Sequence, residues 1–301
     1  MMMFEHGTTI EIDQELLGRP ARNYNCSLLK YRDRILLAYS QACGSPPVAR
    51  VCLCLLDNQF QPLPGTHRVL TPKIRDLPLN RINDPRLFSC GGIVYCNYTA
   101  VFTDKACNGL TTGNGLTTLD PYTLLPLSDC LVGWKGCRKK EKNWEFFDFH
   151  GQMYCVYSIT PHVVLRVGAD GVCHLAGSSE SEIHWKWGEM RGGTPPILVG
   201  DRYYSFFHSS FQDGALLRYV MGCYSFEANP PFKVLSVSRE PLLWPGIDDR
   251  PSTCHPQLAV VYPCGSWLSG NNWLVSYGYH DSFCRIIGLD HDRILNGMAE
   301  V

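Results

Sequence analysis

Apolar and polar positions along the chain alternate in short strand-like runs broken by Gly, Pro, Asn and Asp, and no segment longer than about ten residues carries a convincing helical period. Five of these runs share one plan: a polar lead-in, a strand, a turn, and a return strand rich in Tyr, Phe and small residues. The first is Asn25-Cys26-Ser27-Leu28-Leu29, a turn at Arg32-Asp33, then Ile35-Leu36-Leu37-Ala38-Tyr39. The second is Arg81-Ile82-Asn83-Asp84-Pro85-Arg86-Leu87-Phe88, a turn at Gly91-Gly92, then Ile93-Val94-Tyr95-Cys96-Asn97-Tyr98. The third is Glu141-Lys142-Asn143-Trp144-Glu145-Phe146-Phe147, turning at His150-Gly151 into Met153-Tyr154-Cys155-Val156-Tyr157. The fourth is Arg191-Gly192-Gly193-Thr194-Pro195-Pro196-Ile197-Leu198, turning at Gly200-Asp201 into Tyr203-Tyr204-Ser205-Phe206-Phe207-His208. The fifth is His255-Pro256-Gln257-Leu258-Ala259-Val260-Val261, a longer connection through Gly270-Asn271-Asn272, then Trp273-Leu274-Val275-Ser276-Tyr277-Gly278-Tyr279-His280-Asp281.

The return strands begin near residues 35, 93, 152, 203 and 273, roughly 50 to 70 residues apart, which is room for one four-stranded sheet each. Residues 51–56, 117–119, 163–167 and 217–224 supply candidate outer strands. The pattern predicts an all-β fold: a five-bladed β-propeller in which residues 1–301 form a single catalytic domain. A two-sheet sandwich is the structural alternative, and it does not explain why the same hairpin recurs five times.

Composition narrows the chemistry. The 301 residues carry 27 Lys plus Arg against 28 acids, a net charge of −1, which argues against nucleic-acid binding through a general basic field. Residues 1–18 hold no apolar run of signal length, and nowhere do about 18 apolar residues stand together. No membrane association is therefore expected. The 15 cysteines are odd in number and sit largely inside strand-like runs, which reads as reduced, buried thiols in the cytoplasm or another reducing intracellular compartment. Cys52-x-Cys54 lacks metal-ligand spacing, so neither a metal nor a cofactor is expected.

In a propeller the inner strands start at one mouth of the central channel, so the polar lead-ins converge there. They bring Asn25, Asp84 with Arg86, Lys142 with Asn143, Arg191 and His255; the ends of the return strands bring Ser40, Ser158, His208 and Asp281. A concave site with a strongly placed acid, Asp84, amid excess positive charge suits a sugar plus an anion. Glycosyl transfer needs an acid to protonate the departing oxygen, and hydrolases usually add a second carboxylate. A phosphorylase dispenses with that second carboxylate, because inorganic phosphate is itself the nucleophile, and must instead bind phosphate, as Arg and Lys do. Lys142, Arg191 and His208 are the candidates. A hydrolase would draw its base from Asp281, Glu145 or Asp213. Trp134, Trp185, Trp187 and Trp244 are either sugar platforms or packing.

Arg81-Ile82-Asn83-Asp84-Pro85-Arg86, Lys142-Asn143-Trp144, Arg191-Gly192-Gly193-Thr194-Pro195-Pro196, Phe207-His208-Ser209 and Tyr277-Gly278-Tyr279-His280-Asp281 occur in the order seen in glycoside hydrolase family 130, which this chain resembles over about residues 20–290. That family consists of five-bladed propellers, mostly inverting β-mannoside phosphorylases. The chain looks closer still to glycosyltransferase family 108, the β-1,2-mannosyltransferase/phosphorylases that build and degrade the reserve polymer mannogen. The resemblance implies that Asp84 is the general acid, acting directly or through a sugar hydroxyl. It implies that Lys142, Arg191 and His208 hold phosphate, and that Asn25, Asn143 and Asp281 contact mannose. Arg86 is expected at the substrate beside Asp84, the alternative being that it only orients Asp84 or caps a neighbouring blade. The implied partners are β-mannan oligosaccharides, inorganic phosphate, mannose 1-phosphate and GDP-mannose. Three departures stand out: Asn83 replaces the family's usual Glu, Ser40 replaces an Arg, and Lys142 stands where Arg is common. The first two raise a third reading, a carbohydrate-binding propeller that has lost catalysis.

Overall fold

A computed structural model of the chain describes residues 5–18, 21–45, 48–74, 77–104, 109–138, 140–246 and 257–301. After a short strand β1 (Thr9–Glu11), the chain lays down five antiparallel units in sequence. The first holds β2 (Arg22–Tyr31), β3 (Arg34–Cys43), β4 (Val48–Leu56) and β5 (Arg68–Val69); the second holds β6 (Leu79–Cys90), β7 (Ile93–Asp104), β8 (Gly109–Leu119) and β9 (Pro126–Val132). The third is β10 (Glu145–Phe149), β11 (Gln152–Ser158), β12 (His162–Val167) and β13 (Cys173–Ser179). The fourth is β14 (Ile197–Val199), β15 (Arg202–Asp213), β16 (Leu216–Glu227) and β17 (Val234–Ser238). The fifth is β18 (Leu258–Ser269), β19 (Asn272–Tyr279) and β20 (Phe283–Asp290), completed on its outer edge by β1 pairing with β20. A one-and-a-half-turn helix α1 (His291–Asn296) and a last strand β21 (Met298–Glu300), paired with β17, end the chain.

The apolar clusters show why this is a closed ring. Each sheet is apolar on both faces, and each face packs against a different neighbour. Leu36, Leu53, Leu87 and Val94 join blades one and two, while Phe88, Leu116, Phe146 and Cys155 join two and three. Phe147, Tyr154, Phe207 and Phe226 join three and four, and Phe206, Met221, Trp273 and Val275 join four and five. Cys26, Leu28 and Tyr39 of the first blade pack with Leu274, Cys284 and Ile286 of the last, which closes the circle. The five-bladed propeller expected from the repeat is the fold observed.

Two stretches depart from the expected strands. The fourth lead-in is irregular until Ile197, because Pro195-Pro196 cannot donate to a ladder. The Thr194 hydroxyl stands in by accepting the Phe206 N–H at 3.0 Å. In the fifth blade the expected long connection is strand: β18 continues to Ser269, and the breakers Pro263 and Gly265 mark a bulge in its pairing with β19. His255 lies outside the described residues. The cysteines among the described residues are free and mostly buried.

Candidate active site

Two inner strands and the lead-in to a third carry the same backbone conformation. Asn25 (φ 51°), Asp84 (φ 55°) and Asn143 (φ 66°) all adopt left-handed backbone. In β2 and β6 the ladder slips there, between Tyr24 and Ser27 and between Asn83 and Arg86. Asn and Asp are the side-chain-bearing residues that tolerate this conformation best, and such bulges re-aim a side chain. His280 and Asp281 (φ 52° and 49°) repeat the device after β19. Strain of this kind persists where surrounding structure over-determines it and clusters at functional sites.

The re-aimed residues meet. Asn25, Asp84, Lys142, Arg191, His208 and Asp281 line one cavity of about 240 Å³, with Tyr24, Asn83, Tyr219, Leu258, Val260 and Tyr262 completing the wall. Asp84 is 9% exposed. Its Oδ1 accepts from Asn25 Nδ2 at 2.7 Å and its Oδ2 from Asn83 Nδ2 at 2.7 Å, while its own N–H donates to Ser40 Oγ at 2.8 Å. Two of the three positions where the chain departs from the resembled pattern, Ser40 and Asn83, thus help to hold the acid. Gly278 makes room for Asn25: a Cβ there would stand 1.9 Å from Asn25 Oδ1. Burial, then the charges of Asp84 and Asp281, push the Tyr24 phenol far up.

The cations differ in exposure. Lys142 is exposed and lines both this cavity and an adjoining chamber of about 240 Å³ that also carries Arg138, Lys140, Glu141 and Ser158. Arg191 lines both spaces too. Its backbone is pinned to His208 by two hydrogen bonds, 2.9 and 3.1 Å. His208 is 2% exposed, and its Nδ1 has no protein hydrogen-bond partner. Burial first, then Arg86, Lys142 and Arg191, hold its imidazole well below the usual range, so the ring is neutral in the absence of an anion.

Arg86 does not stand where a substrate contact was expected. It is fully buried and outside the cavity's lining. Its guanidinium donates to the carbonyls of Gly193 and Gly192 (the latter at 3.2 Å), to Tyr262 OH at 3.2 Å, and to Asn143 Oδ1 at 3.4 Å. Those partners lie on the lead-ins to β10 and β14 and on β18, so Arg86 ties four blades together across the channel. A buried cation so placed is a strut, since removing it would strand several buried acceptors. Asn143, likewise expected at the sugar, accepts from Arg86 and, at 2.5 Å, from Tyr262 OH; it faces the adjoining chamber.

The hydrolase suspects separate as well. Glu145 is wholly buried, accepting from Tyr224 OH at 2.6 Å, Gly193 N–H at 2.7 Å and Ser205 Oγ at 2.8 Å. Burial pushes its carboxyl up to about 7, against the lowering effect of those donors and of Arg86. Asp213 is paired with Arg218 away from the cavity lining. Of the three, only Asp281 lines the cavity. Trp187 is buried and Trp185 is partly buried, donating to Ser209 Oγ, while Trp244 is 44% exposed. No group of His, Cys, Asp and Glu among the described residues could hold a metal ion.

Sequence reasoning missed Tyr24, Asn83, Tyr219 and Tyr262. Part of the signal was present: Tyr24-Asn25, Asn83-Asp84 and Lys142-Asn143 each place a wall residue immediately before a left-handed Asn or Asp. Tyr262 was hidden because its stretch reads as a connection.

The family model described as beta-1,4-mannooligosaccharide phosphorylase matches residues 3–300. No curated protein sequence matches the chain. Among solved structures, the β-1,2-mannobiose phosphorylase of Listeria innocua in complex with β-1,2-mannobiose is 14% identical over 99% of this chain and 94% of its own, with a TM-score of 0.67. A mannose phosphorylase of Leishmania mexicana in complex with a phosphate ion is 12% identical over 99% of this chain and 92% of its own, TM-score 0.64. A third structure, described with glycoside hydrolases that target β-1,2-mannosidic linkages in Candida mannan, is 12% identical over 89% of this chain and 84% of its own, TM-score 0.56. At these identities the likeness is one of fold.

Proposed function

We infer, on the premise that this chain belongs to glycoside hydrolase family 130, that it is a phosphate-dependent β-mannoside phosphorylase acting on β-1,2-mannan oligosaccharides. The observation that carries the phosphate is His208: a buried ring nitrogen with no protein partner, in the same cavity as Lys142, Arg191 and Asp84. A buried polar atom left unpaired is costly, and an anion or hydroxyl placed there relieves it.

In this reading the terminal mannose lies against Asn25 and Asp281, with phosphate held by Lys142, Arg191 and His208 on the opposite face of its anomeric carbon. A phosphate oxygen forms the new bond to that carbon as the glycosidic bond breaks. Asp84 gives its proton to the departing oxygen, directly or through a sugar hydroxyl, and is left as the carboxylate that Asn25 and Asn83 stabilise. The products are mannose 1-phosphate of inverted configuration and an oligosaccharide one unit shorter. In reverse, the Asp84 carboxylate takes the proton of an acceptor hydroxyl, and mannose passes from mannose 1-phosphate to a mannogen-type chain. The basic chamber beside Lys142 and Arg191, with Arg138 and Lys140, supports GDP-mannose as a second donor by giving room and charge for another phosphate. Free thiols support a reducing compartment such as the cytoplasm.

The test is incubation with β-1,2-mannan oligosaccharides with and without phosphate. Release of mannose 1-phosphate only with phosphate is expected. Free mannose at a phosphate-independent rate would make the enzyme a hydrolase, with Asp281 the base to examine. A propeller that only binds sugar would keep oligosaccharide affinity with no turnover, and Asp84→Asn would change nothing. The use of Ser40 and Asn83 to hold Asp84 speaks against that last reading.

A further inference from the structure

Arg191 is already occupied by a carboxylate. Its Nε and one terminal nitrogen both donate to Glu189 Oε2, at 3.1 and 2.8 Å. Both side chains are largely open, 42% exposed for Arg191 and 57% for Glu189. Glu189 lines the adjoining chamber but not the cavity that holds Asp84, whereas Arg191 lines both. The Arg191 backbone is fixed by its pairing with His208, so only its side chain is free to choose between the two spaces.

We propose that Glu189 is an affinity-setting residue: an internal anion that draws the Arg191 guanidinium toward the side chamber, and that phosphate must outcompete. This rests on the phosphate reading given above. The guanidinium fork matches a carboxylate and a phosphate equally well, so the two compete for the same donors. The inward position adds His208 Nδ1 to the groups that can meet a bound anion, while Lys142 lines both spaces. Without one, the inward cavity offers Arg191 only the carboxylates of Asp84, already held by Asn25 and Asn83, and of Asp281, so Glu189 competes with these as well as with phosphate. Glu189 thereby lowers phosphate affinity and eases release of the phosphorylated sugar. Because the pair is solvent-exposed its strength is modest, and the effect is set by the range measured for exposed ion pairs.

Titration calorimetry with inorganic phosphate, together with phosphorolysis kinetics, tests this on wild type, Glu189→Gln, Arg191→Gln and the double variant. Glu189→Gln is expected to bind phosphate roughly 1.5- to 5-fold more tightly, with a matching fall in KM for phosphate and no rise in kcat. The gain should vanish in the Arg191→Gln background, which separates release of Arg191 from the mere loss of a nearby negative charge. Glu240→Gln, which removes a charge from the ion pair of Lys186 nearby in sequence, should leave phosphate affinity unchanged. Unchanged or weaker phosphate binding in Glu189→Gln would overturn the proposal, as would a gain that persists without Arg191. Wild-type protein that takes up no phosphate at all would overturn the phosphorylase reading first, and this inference with it.

Discussion

The two mouths of the propeller are built from the same five hairpins and share a backbone conformation, yet they are chemically unlike. At the turn end, left-handed residues such as Gly91-Gly92 and His150-Gly151 sit in tight hairpin turns, where the strand twist demands them. At the lead-in end, Asn25, Asp84 and Asn143 adopt the same φ within or beside strands, where no turn requires it. The turn end opens onto the larger space, about 960 Å³, walled by Phe147, Phe149, Pro195, Pro196, Ile197 and Trp267 among others. The lead-in end holds two smaller spaces of about 240 Å³ each, but they contain the acid, the cations and the unpartnered His208 nitrogen. Cavity size and chemistry therefore point to opposite ends, and chemistry is the better guide: a wide apolar hollow forms wherever twisted sheets splay apart, whereas buried charge persists only where something uses it.

The sharpest break in that contrast comes from Asp84→Asn. It should fold normally and lose about 10²- to 10⁴-fold in release of mannose 1-phosphate; a smaller loss would move the acid elsewhere. Next comes the strut. Arg86→Met should lower the free energy of unfolding by about 3–5 kcal/mol in a denaturant titration, because it strands buried acceptors on neighbouring blades. If Arg86 were a sugar contact instead, stability would hold and KM for the oligosaccharide would rise.

His208→Ala should weaken phosphate binding roughly 10- to 100-fold, the effect of one hydrogen bond to a charged group, with oligosaccharide binding much less affected. Glu145 supplies a pH signature. Burial pushes its folded carboxyl up to about 7 from an unfolded value of 4.5, so the folded chain keeps a proton that the unfolded chain releases. Its contribution to stability is full below about pH 4.5 and is lost as pH rises through about 7. Glu145→Gln should flatten that decline by about 1–3 kcal/mol, seen as a difference between the two proteins' melting profiles across this window. The smallest effect is expected at the opposite mouth: Leu198→Ser, at a site 52% exposed, should change stability by no more than about 0.5 kcal/mol and leave phosphorolysis within error.

Much of this was legible in the chain. Alternation, tight-turn residues and a recurring polar lead-in were enough for five hairpins and for their closure into a ring, because strand periodicity and turn chemistry are local properties. The same repeat placed Asp84, Lys142, Arg191, His208 and Asp281 at a common mouth. The error over residues 262–269 arose because Pro263 and Gly265 look alike in sequence whether they end a strand or bulge it. The register against β19 decides which.

Other features belonged to tertiary structure alone. Whether Arg86 meets sugar or supports the channel depends on carbonyls more than a hundred residues away, Gly192 and Gly193. Whether Glu145 is a base or a buried lock depends on Tyr224 and Ser205 closing over it. Charge and side-chain type are written residue by residue, so the sequence by itself determined that an acid and several cations would share a hollow. Burial and partnership are properties of the closed ring, and only there was it decided which of those groups remain free to meet a substrate.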